Sequence, residues 1–115
     1  MANTFKLVTK AGVTSADVIY TVAGSTTTVV LGIMLGNTTT SQITATVTIE
    51  SDTSNRSGAN NEANQNVELV TNAPIPSGAS LELLSGNKVI METTDVLKLT
   101  ATGETDIALS IMEIT

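Results

Sequence analysis

The chain contains neither cysteine nor histidine, and its aromatic residues are limited to Phe5 and Tyr20. Without cysteine there is no disulfide, no thiolate metal ligand and no thiol nucleophile. Without histidine the commonest general acid–base group is missing. No serine lies in a G-x-S-x-G elbow, and no glycine-rich phosphate loop is present. We therefore predict no enzyme, no cofactor, and neither catalytic, cofactor-binding nor metal-binding residues.

Charge is scarce as well. Charged residues make up 14% of the chain, against about a quarter in an average protein. The net charge is −6, and the basic residues are scattered: Lys6, Lys10, Arg56, Lys88 and Lys98. Because nucleic-acid binding needs a basic surface that neutralises phosphates, DNA and RNA are not expected as partners.

The start of the chain, residues 1–6, lacks the apolar core of a secretory signal. The longest apolar stretch, Val29 to Leu35, is far shorter than the roughly 20 residues that cross a bilayer as a helix. We expect a protein that is not secreted, does not enter a membrane and stays in the compartment where it is made.

What the chain has in abundance is threonine, with 21 copies, alternating with aliphatic residues. In Ile43–Ile49 every odd-numbered residue is apolar and every even-numbered one is threonine, which predicts a strand with one core face. In 107–112, Ile107, Leu109 and Ile111 alternate with a second face that is also rather apolar. That second pattern favours a strand covered on both sides.

Further strands are predicted at Phe5–Thr9, Val18–Val22, Thr26–Leu35, Val67–Thr71, Leu81–Leu84, Lys88–Met91 and Val96–Ala101. No segment shows a sustained helical period. Eight or nine short strands predict an all-β protein, a single-domain antiparallel β-sandwich over residues 1–115, with a jelly roll as one possible arrangement.

Turn residues predict how these strands are joined. Gly86-Asn87 lies between two short apolar runs and is typical of a tight hairpin, and Gly36-Asn37 and Gly103-Glu104 mark two more candidate hairpins.

The third strand carries apolar residues on both faces. We predict that one stripe faces the core and that the other is covered by a second layer or by another subunit. The predicted core stripe consists of Val29, Leu31, Ile33 and Leu35, and the opposite face of Val30, Gly32 and Met34.

Residues 51–66 break the pattern, with five asparagines and no apolar side chain larger than alanine. We predict a flexible, exposed polar loop, or a loop that a neighbouring molecule orders. Oxygen ligands gather around it, at Glu50, Asp52, Asn55, Asn60, Asn61 and Glu62. Their spacing does not match an EF-hand, so a solvated loop is the preferred interpretation. The glycosylation patterns at Asn37 and Asn55 are interpreted as chance matches.

Several segments resemble a recurrent pattern in small virion structural proteins of tailed phages, especially phages of cyanobacteria and other marine bacteria. The matching segments are 74–81 (PIPSGASL), 86–95 (GNKVIMETTD) and 108–114 (ALSIMEI), with further similarity in 1–6 and 25–30. Within this pattern, Asp95 is expected to cap the bend before Val96 by accepting backbone hydrogen bonds. The resemblance implies no catalytic residue.

The resemblance implies a structural protein located in the virion and made in the host cytoplasm. We expect a capsid decoration or cement protein on the particle exterior. A tail, neck or fibre component is the alternative, and a receptor- or carbohydrate-binding module that uses loop 51–66 is a second one. Expected partners are other virion proteins, such as major capsid or tail subunits, and further copies of this chain in a trimer or ring.

Overall fold

A computed structural model describes residues 2–51, 65–84 and 86–115. These residues form nine strands: β1 (Asn3–Val13), β2 (Asp17–Thr21), β3 (Thr27–Asn37), β4 (Ile43–Glu50), β5 (Asn66–Ile75), β6 (Ser80–Leu83), β7 (Val89–Met91), β8 (Val96–Ala101) and β9 (Thr105–Ile114). Each predicted strand is found, with ends that differ by a few residues. No helix occurs in the described residues, so none there could cross a membrane.

The strands lie in two antiparallel sheets, which confirms the predicted β-sandwich. The five-stranded sheet has the order β1-β9-β3-β6, and β7 pairs with β3 beside β6. The four-stranded sheet has the order β2-β8-β4-β5.

The strand pairing is that of a jelly roll. β6 and β7 both run antiparallel to β3 and act as two halves of one interrupted strand. If β6 and β7 are counted as one strand, β1 pairs with β9, β2 with β8, β3 with β6 and β7, and β4 with β5. This nested pairing is a long hairpin wrapped into two packed sheets.

The core is aliphatic, as the scarcity of aromatic residues predicts. Along β4 the alternation holds: Ile43, Ala45 and Val47 are buried, whereas Thr46 and Thr48 are half-buried on the outer face. The buried cluster consists of Val13, Val22, Val30, Ile33, Leu35, Ile43, Ala45, Val47, Ile75, Met91, Leu97, Leu99, Ile107, Leu109 and Ile111.

The predicted core stripe of β3 is only half right. Ile33 and Leu35 are buried, but Val29 and Leu31 are not, and Val30 takes their place in the core. The pairing of β3 with β9 shifts register between Val30 and Gly32. This bulge adds one residue to the strand, so the inward face passes from even to odd numbers. Period-two alternation cannot locate such a shift.

The three predicted hairpins are wrong. Gly36-Asn37 ends β3 and Gly103-Glu104 precedes β9, and at both places the chain crosses from one sheet to the other. Gly86-Asn87 lies between β6 and β7, which run in the same direction along β3. A turn signal shows that the chain bends there, but the partner of each strand is chosen by packing between the sheets.

Gly103 has a steric reason to be glycine. A Cβ at this position would lie 2.7 Å from Cγ2 of Ile43, because the crossing into β9 packs directly against the start of β4. The turn residue therefore marks a close approach between the sheets rather than a hairpin.

Strands β4 and β5 are consecutive in the chain and pair side by side. The N–H of Ser51 donates to the carbonyl oxygen of Gln65 at 2.7 Å, so the two arms are closed there. Most of the loop predicted at 51–66, namely residues 52–64, lies outside the described residues.

We expect Val47→Asp to prevent folding. Val47 is fully buried, and an unpaired carboxylate there would cost several kcal/mol against a total stability of about 5–15 kcal/mol. Thr48→Asp is the matched control, because Thr48 lies on the outer face opposite Lys98. Circular dichroism and soluble yield should show a folded Thr48→Asp protein and no folded Val47→Asp protein. Equal yields of folded protein would contradict the assigned core face.

Replacing residues 52–64 with a linker of about four residues should leave the fold intact. The arms already pair up to Ser51 and Gln65, and each doubling of loop length costs only about 0.6 kcal/mol. Urea denaturation should give an unfolding free energy within about 1 kcal/mol of the parent. Loss of soluble protein would show that this segment is structural.

Candidate functional site

The outer face of the five-stranded sheet carries a row of apolar side chains. Phe5 on β1 lies opposite Met112 on β9, Met112 lies opposite Val29 on β3, and Val29 lies opposite Ile90 on β7. Directly opposite residues project from the same face of a sheet. Phe5 is 71% exposed and Ile90 66%, whereas Val29 and Met112 are half-buried. The row crosses the full width of the sheet.

Two more exposed side chains extend this row along the strands. Leu7 is 68% exposed and Met34 is 48% exposed, and both project from the same face as the row. We call this surface the apolar face, defined by Phe5, Leu7, Val29, Met34, Ile90 and Met112. An exposed apolar patch carried by a rigid sheet is typical of an interaction surface.

The apolar face ends in a hollow of about 360 Å³. It is lined by Thr9, Lys10, Ala11, Met34, Gly36, Ser80, Asp106, Ile107 and Ala108. Its charged groups are engaged: Lys10 pairs with Asp17 at 2.7 Å, and Asp106 Oδ1 accepts the N–H of Gly12 at 3.0 Å. The hollow is thus a shallow apolar depression with a polar rim.

Only one face of β9 is covered by the second sheet. Ile107, Leu109 and Ile111 are buried between the sheets, but on the opposite face Ser110 is exposed and Met112 only half-buried. The second layer predicted for this strand is not supplied by the described residues.

The outer face of the four-stranded sheet is polar. Thr46 and Thr48 project from β4, beside Thr100 and Lys98 on β8. Lys98 pairs with Glu50 at 2.9 Å. Val18, which is 46% exposed, lies opposite Lys98 and projects from the same face. The two broad faces of the sandwich therefore differ, one being mainly apolar and the other mainly threonine and charged residues.

Tyr20, Glu113, Lys6 and Thr28 form a polar cluster that joins the two sheets. The Tyr20 hydroxyl donates to Glu113 Oε2 at 2.5 Å and lies 2.8 Å from Thr28 Oγ1. Lys6 Nζ lies 2.7 Å from Glu113 Oε1. Tyr20 belongs to the four-stranded sheet, whereas its three partners belong to the five-stranded sheet. The cluster therefore forms a polar contact between the two sheets.

The surroundings shift the pKa values of Tyr20 and Glu113 in this cluster. Burial, followed by the hydrogen bond to Glu113, raises the pKa of Tyr20 from 10.0 to about 12. Hydrogen bonds from Lys6 and then from Tyr20 hold the pKa of Glu113 below its ordinary value. At neutral pH the phenol is thus neutral and donating, and the carboxylate is ionised, which suits a structural contact better than proton transfer.

Two buried polar residues hold connections in place. Asn37 Nδ2 donates to the carbonyl oxygens of Ser41, Ile75 and Pro76 at 2.8, 2.9 and 3.1 Å. That amide nitrogen is buried and already bonded, so it is not accessible for glycosylation in this fold. Asp95 Oδ2 accepts the N–H of Glu92 at 2.9 Å, which confirms its predicted capping role.

Within residues 2–51, 65–84 and 86–115, no three acidic side chains come close enough to hold a metal ion. Of the oxygen ligands considered in the sequence, Glu50 is paired with Lys98. The others, Asp52, Asn55, Asn60, Asn61 and Glu62, lie outside the described residues, as does the glycosylation pattern at Asn55.

Sequence reasoning missed both the polar cluster and the apolar face. Tyr20 and Glu113 are 93 positions apart, and no motif connects them. Phe5 and Leu7 carried a partial signal, because they share one side of a predicted strand. The sequence does not show which side of that strand the second sheet covers.

No protein-family model and no curated protein matches the chain. A solved chain from Bacillus endospore appendages, described as disulfide-linked pili, is similar at 16% identity with a TM-score of 0.48. That likeness covers 99% of this chain and 87% of the other. A chain of the T13 IBDV viral particle is similar at 13% identity with a TM-score of 0.28, over 96% of this chain and 35% of its own length.

This chain therefore spans about a third of the viral-particle chain. It also contains no cysteine, so it has no means of forming the disulfide links for which the pili are described. Both TM-scores lie below 0.5, and neither likeness carries an argument about function.

Tyr20→Phe and Glu113→Gln should each lower the unfolding free energy at neutral pH by about 1.5–3 kcal/mol, the range for hydrogen bonds to charged groups. The double variant should lose less than the sum, because both changes break the same contact. Urea denaturation of the four proteins measures this coupling. Strict additivity would show that the bond between the two side chains contributes nothing.

The pH dependence of folding stability follows from the shifted pKa values of Glu113 and Tyr20. The pKa of Glu113 is lowered by folding, so its contribution is present above the unfolded pKa and is lost as pH falls through the folded value. The pKa of Tyr20 is raised, so its contribution is present below pH 10.0 and is lost as pH rises toward about 12. Glu113→Gln should weaken the acid-side loss of stability, measured by thermal melts across pH.

Proposed function

We propose that this chain is a non-enzymatic structural subunit of a tailed-phage virion, and specifically a capsid decoration or cement protein on the particle exterior. The apolar face is the observation that carries this proposal. The sequence resemblance to small phage virion proteins supplies the kind of particle.

The apolar face suits protein contact rather than substrate binding. It is a broad sheet surface held by two interior strands, β9 and β3, so its side chains are presented without a deep pocket. Burying the exposed parts of Phe5, Leu7, Met34 and Ile90 would contribute on the order of 1–2 kcal/mol each. Binding to a particle surface that covers this face would be stabilised by most of that free energy.

The charged groups support a structural role. Lys6, Lys10 and Lys98 are each paired with a carboxylate at 2.7–2.9 Å. The phenol of Tyr20 is neutral at physiological pH because its pKa is raised to about 12. With no histidine or cysteine in the chain, few groups are left to act as a base or nucleophile.

The net charge of −6 favours the outside of the particle. An acidic protein is repelled by packaged nucleic acid, and the paired lysines offer no basic patch to offset this. An exterior subunit avoids that cost. Other subunits of the particle and further copies of this chain, in a trimer or ring, are the proposed partners.

A tail, neck or fibre subunit would use the same apolar face, so position within the particle is what the experiment has to measure. A carbohydrate-binding module has less support. Sugar sites stack rings on aromatic side chains, and here the Tyr20 hydroxyl is engaged at the junction of the sheets, which leaves Phe5 as the exposed ring.

Immunogold labelling of intact particles whose genome encodes this chain tests the proposal. Labelling over the whole shell is expected for a decoration protein. Labelling at a single vertex would move the protein to the neck or tail, and absence from purified particles would overturn the virion assignment.

A binding assay with purified, undecorated shells tests the surface itself. Ile90→Asp should reduce binding by about tenfold or more, since it places a charge in an apolar contact. Thr100→Asp is the control, because Thr100 is exposed on the polar sheet. Both variants should keep the parent circular dichroism spectrum. Equal loss of binding in both would exclude the apolar face as the contact.

A further inference from the structure

We propose that two copies of this chain pair through their β1 strands, antiparallel and with Leu7 on the two-fold axis. The two five-stranded sheets would then form one continuous sheet across the dimer. The inference rests on the proposed structural role and adds one two-fold contact between copies to the trimer or ring proposed above.

Three of the four sheet edges in the described residues are poorly suited to pairing. β2 is five residues long and shifts register between Val18 and Tyr20. β5 contains Pro74 and two register shifts against β4. The edge formed by β6 and β7 is interrupted between Leu83 and Val89. Short edges, prolines and bulges are the usual ways in which proteins block edge-to-edge association.

β1 is different. It keeps an unbroken register with β9 from Asn3 to Lys10 and contains no proline. No strand of the described part of the chain lies along its other side. Nearly all its side chains are exposed, including Phe5 and Leu7. A long, regular edge with apolar side chains is a template for another strand.

The backbone groups that are free on this edge can be identified. Ala2 and Thr115 exchange both of their hydrogen bonds, at 3.1 and 2.9 Å. Hydrogen-bonded and non-bonded pairs alternate along an antiparallel ladder. Even-numbered residues of β1 therefore bond to β9, and the N–H and C=O groups of Phe5, Leu7 and Thr9 point to the open edge.

The occupant that fits this edge is a second β1. Placing Leu7 opposite Leu7 makes Phe5 face Thr9 of the second copy, Lys6 face Val8 and Lys10 face Thr4. All the free odd-numbered groups then meet one another, which forms a regular antiparallel ladder. Among the described edges, β1 itself is the one that is long and regular enough to match.

Charge selects this register over its neighbours. A slip by two residues one way puts Lys6 opposite Lys6, and a slip the other way puts Lys6 opposite Lys10. Like charges directly opposite each other destabilise a sheet. In the proposed register no lysine faces a lysine. The lysines are also held by Glu113 and Asp17 of their own chain, so they are drawn away from the edge.

Proline at position 7 tests the edge directly. Leu7→Pro removes an N–H that points to the open edge and none that bonds to β9, so the monomer fold should survive. Val8→Pro is the contrasting variant, because it removes a bond to β9 and should lower the melting temperature. Light scattering should give twice 11.8 kDa, or a multiple, for the parent chain. Leu7→Pro should weaken dimerisation by about tenfold or more, since the two N–H donors that Leu7 contributes to the dimer, one from each copy, are lost.

Cysteine trapping tests the register. Because the chain has no native cysteine, any disulfide must form between the introduced residues. Opposite Cα atoms in a bonded pair lie about 5.5 Å apart, within disulfide range. Leu7→Cys should cross-link on its own under mild oxidation. Phe5→Cys and Thr9→Cys should cross-link when mixed, but each poorly alone. Phe5→Cys alone reacting as fast as Leu7→Cys would overturn the register.

The outcomes separate this inference from the proposed function. A parent chain that stays monomeric, or an oligomer whose mass Leu7→Pro leaves unchanged, overturns the β1 contact even if particles are labelled. A β1 dimer that is absent from particles overturns the virion role and leaves the contact standing.

Discussion

The pairing of β3 with β9 holds the five-stranded sheet together. The two strands lie side by side from Thr27 and Ile114 at one end to Asn37 and Thr105 at the other. β1 is attached through β9, and β6 and β7 are attached through β3. The bulge between Val30 and Gly32 decides which side chains of β3 enter the core. Displacing this pairing would displace both the core and the apolar face.

The inner and outer faces of the two sheets are under different physical constraints. Each sheet must bury one aliphatic face against the other, and the cluster of Val, Ile, Leu, Met and Ala side chains between them does so. The outer faces are free of that constraint. Threonine on the four-stranded sheet is compatible with water, whereas Phe5, Leu7 and Ile90 on the other sheet gain stability only when something covers them. The proposed structural role rests on this asymmetry.

The polar interactions serve the same architecture. Tyr20 and Glu113 join the two sheets at one end, and Asn37 ties the connection after β3 to the end of β5. Each buried polar side chain in the described residues has a partner. These groups hold the strands and connections of the jelly roll together. The functional interpretation therefore rests on the exposed surface rather than on a pocket.

The positions of the strands, the aliphatic core and the scarcity of reactive groups all follow from the amino-acid sequence. Period-two alternation and residue inventory are local properties, so Ile43–Ile49 could be assigned to its faces without coordinates. Which strands are neighbours and which faces are covered depends instead on how the two sheets pack. Gly36-Asn37 and Gly103-Glu104 look like hairpin turns locally, yet they are crossings between sheets. Val29 looks like core until a bulge turns it outward, because pairing and burial depend on residues far away in the chain.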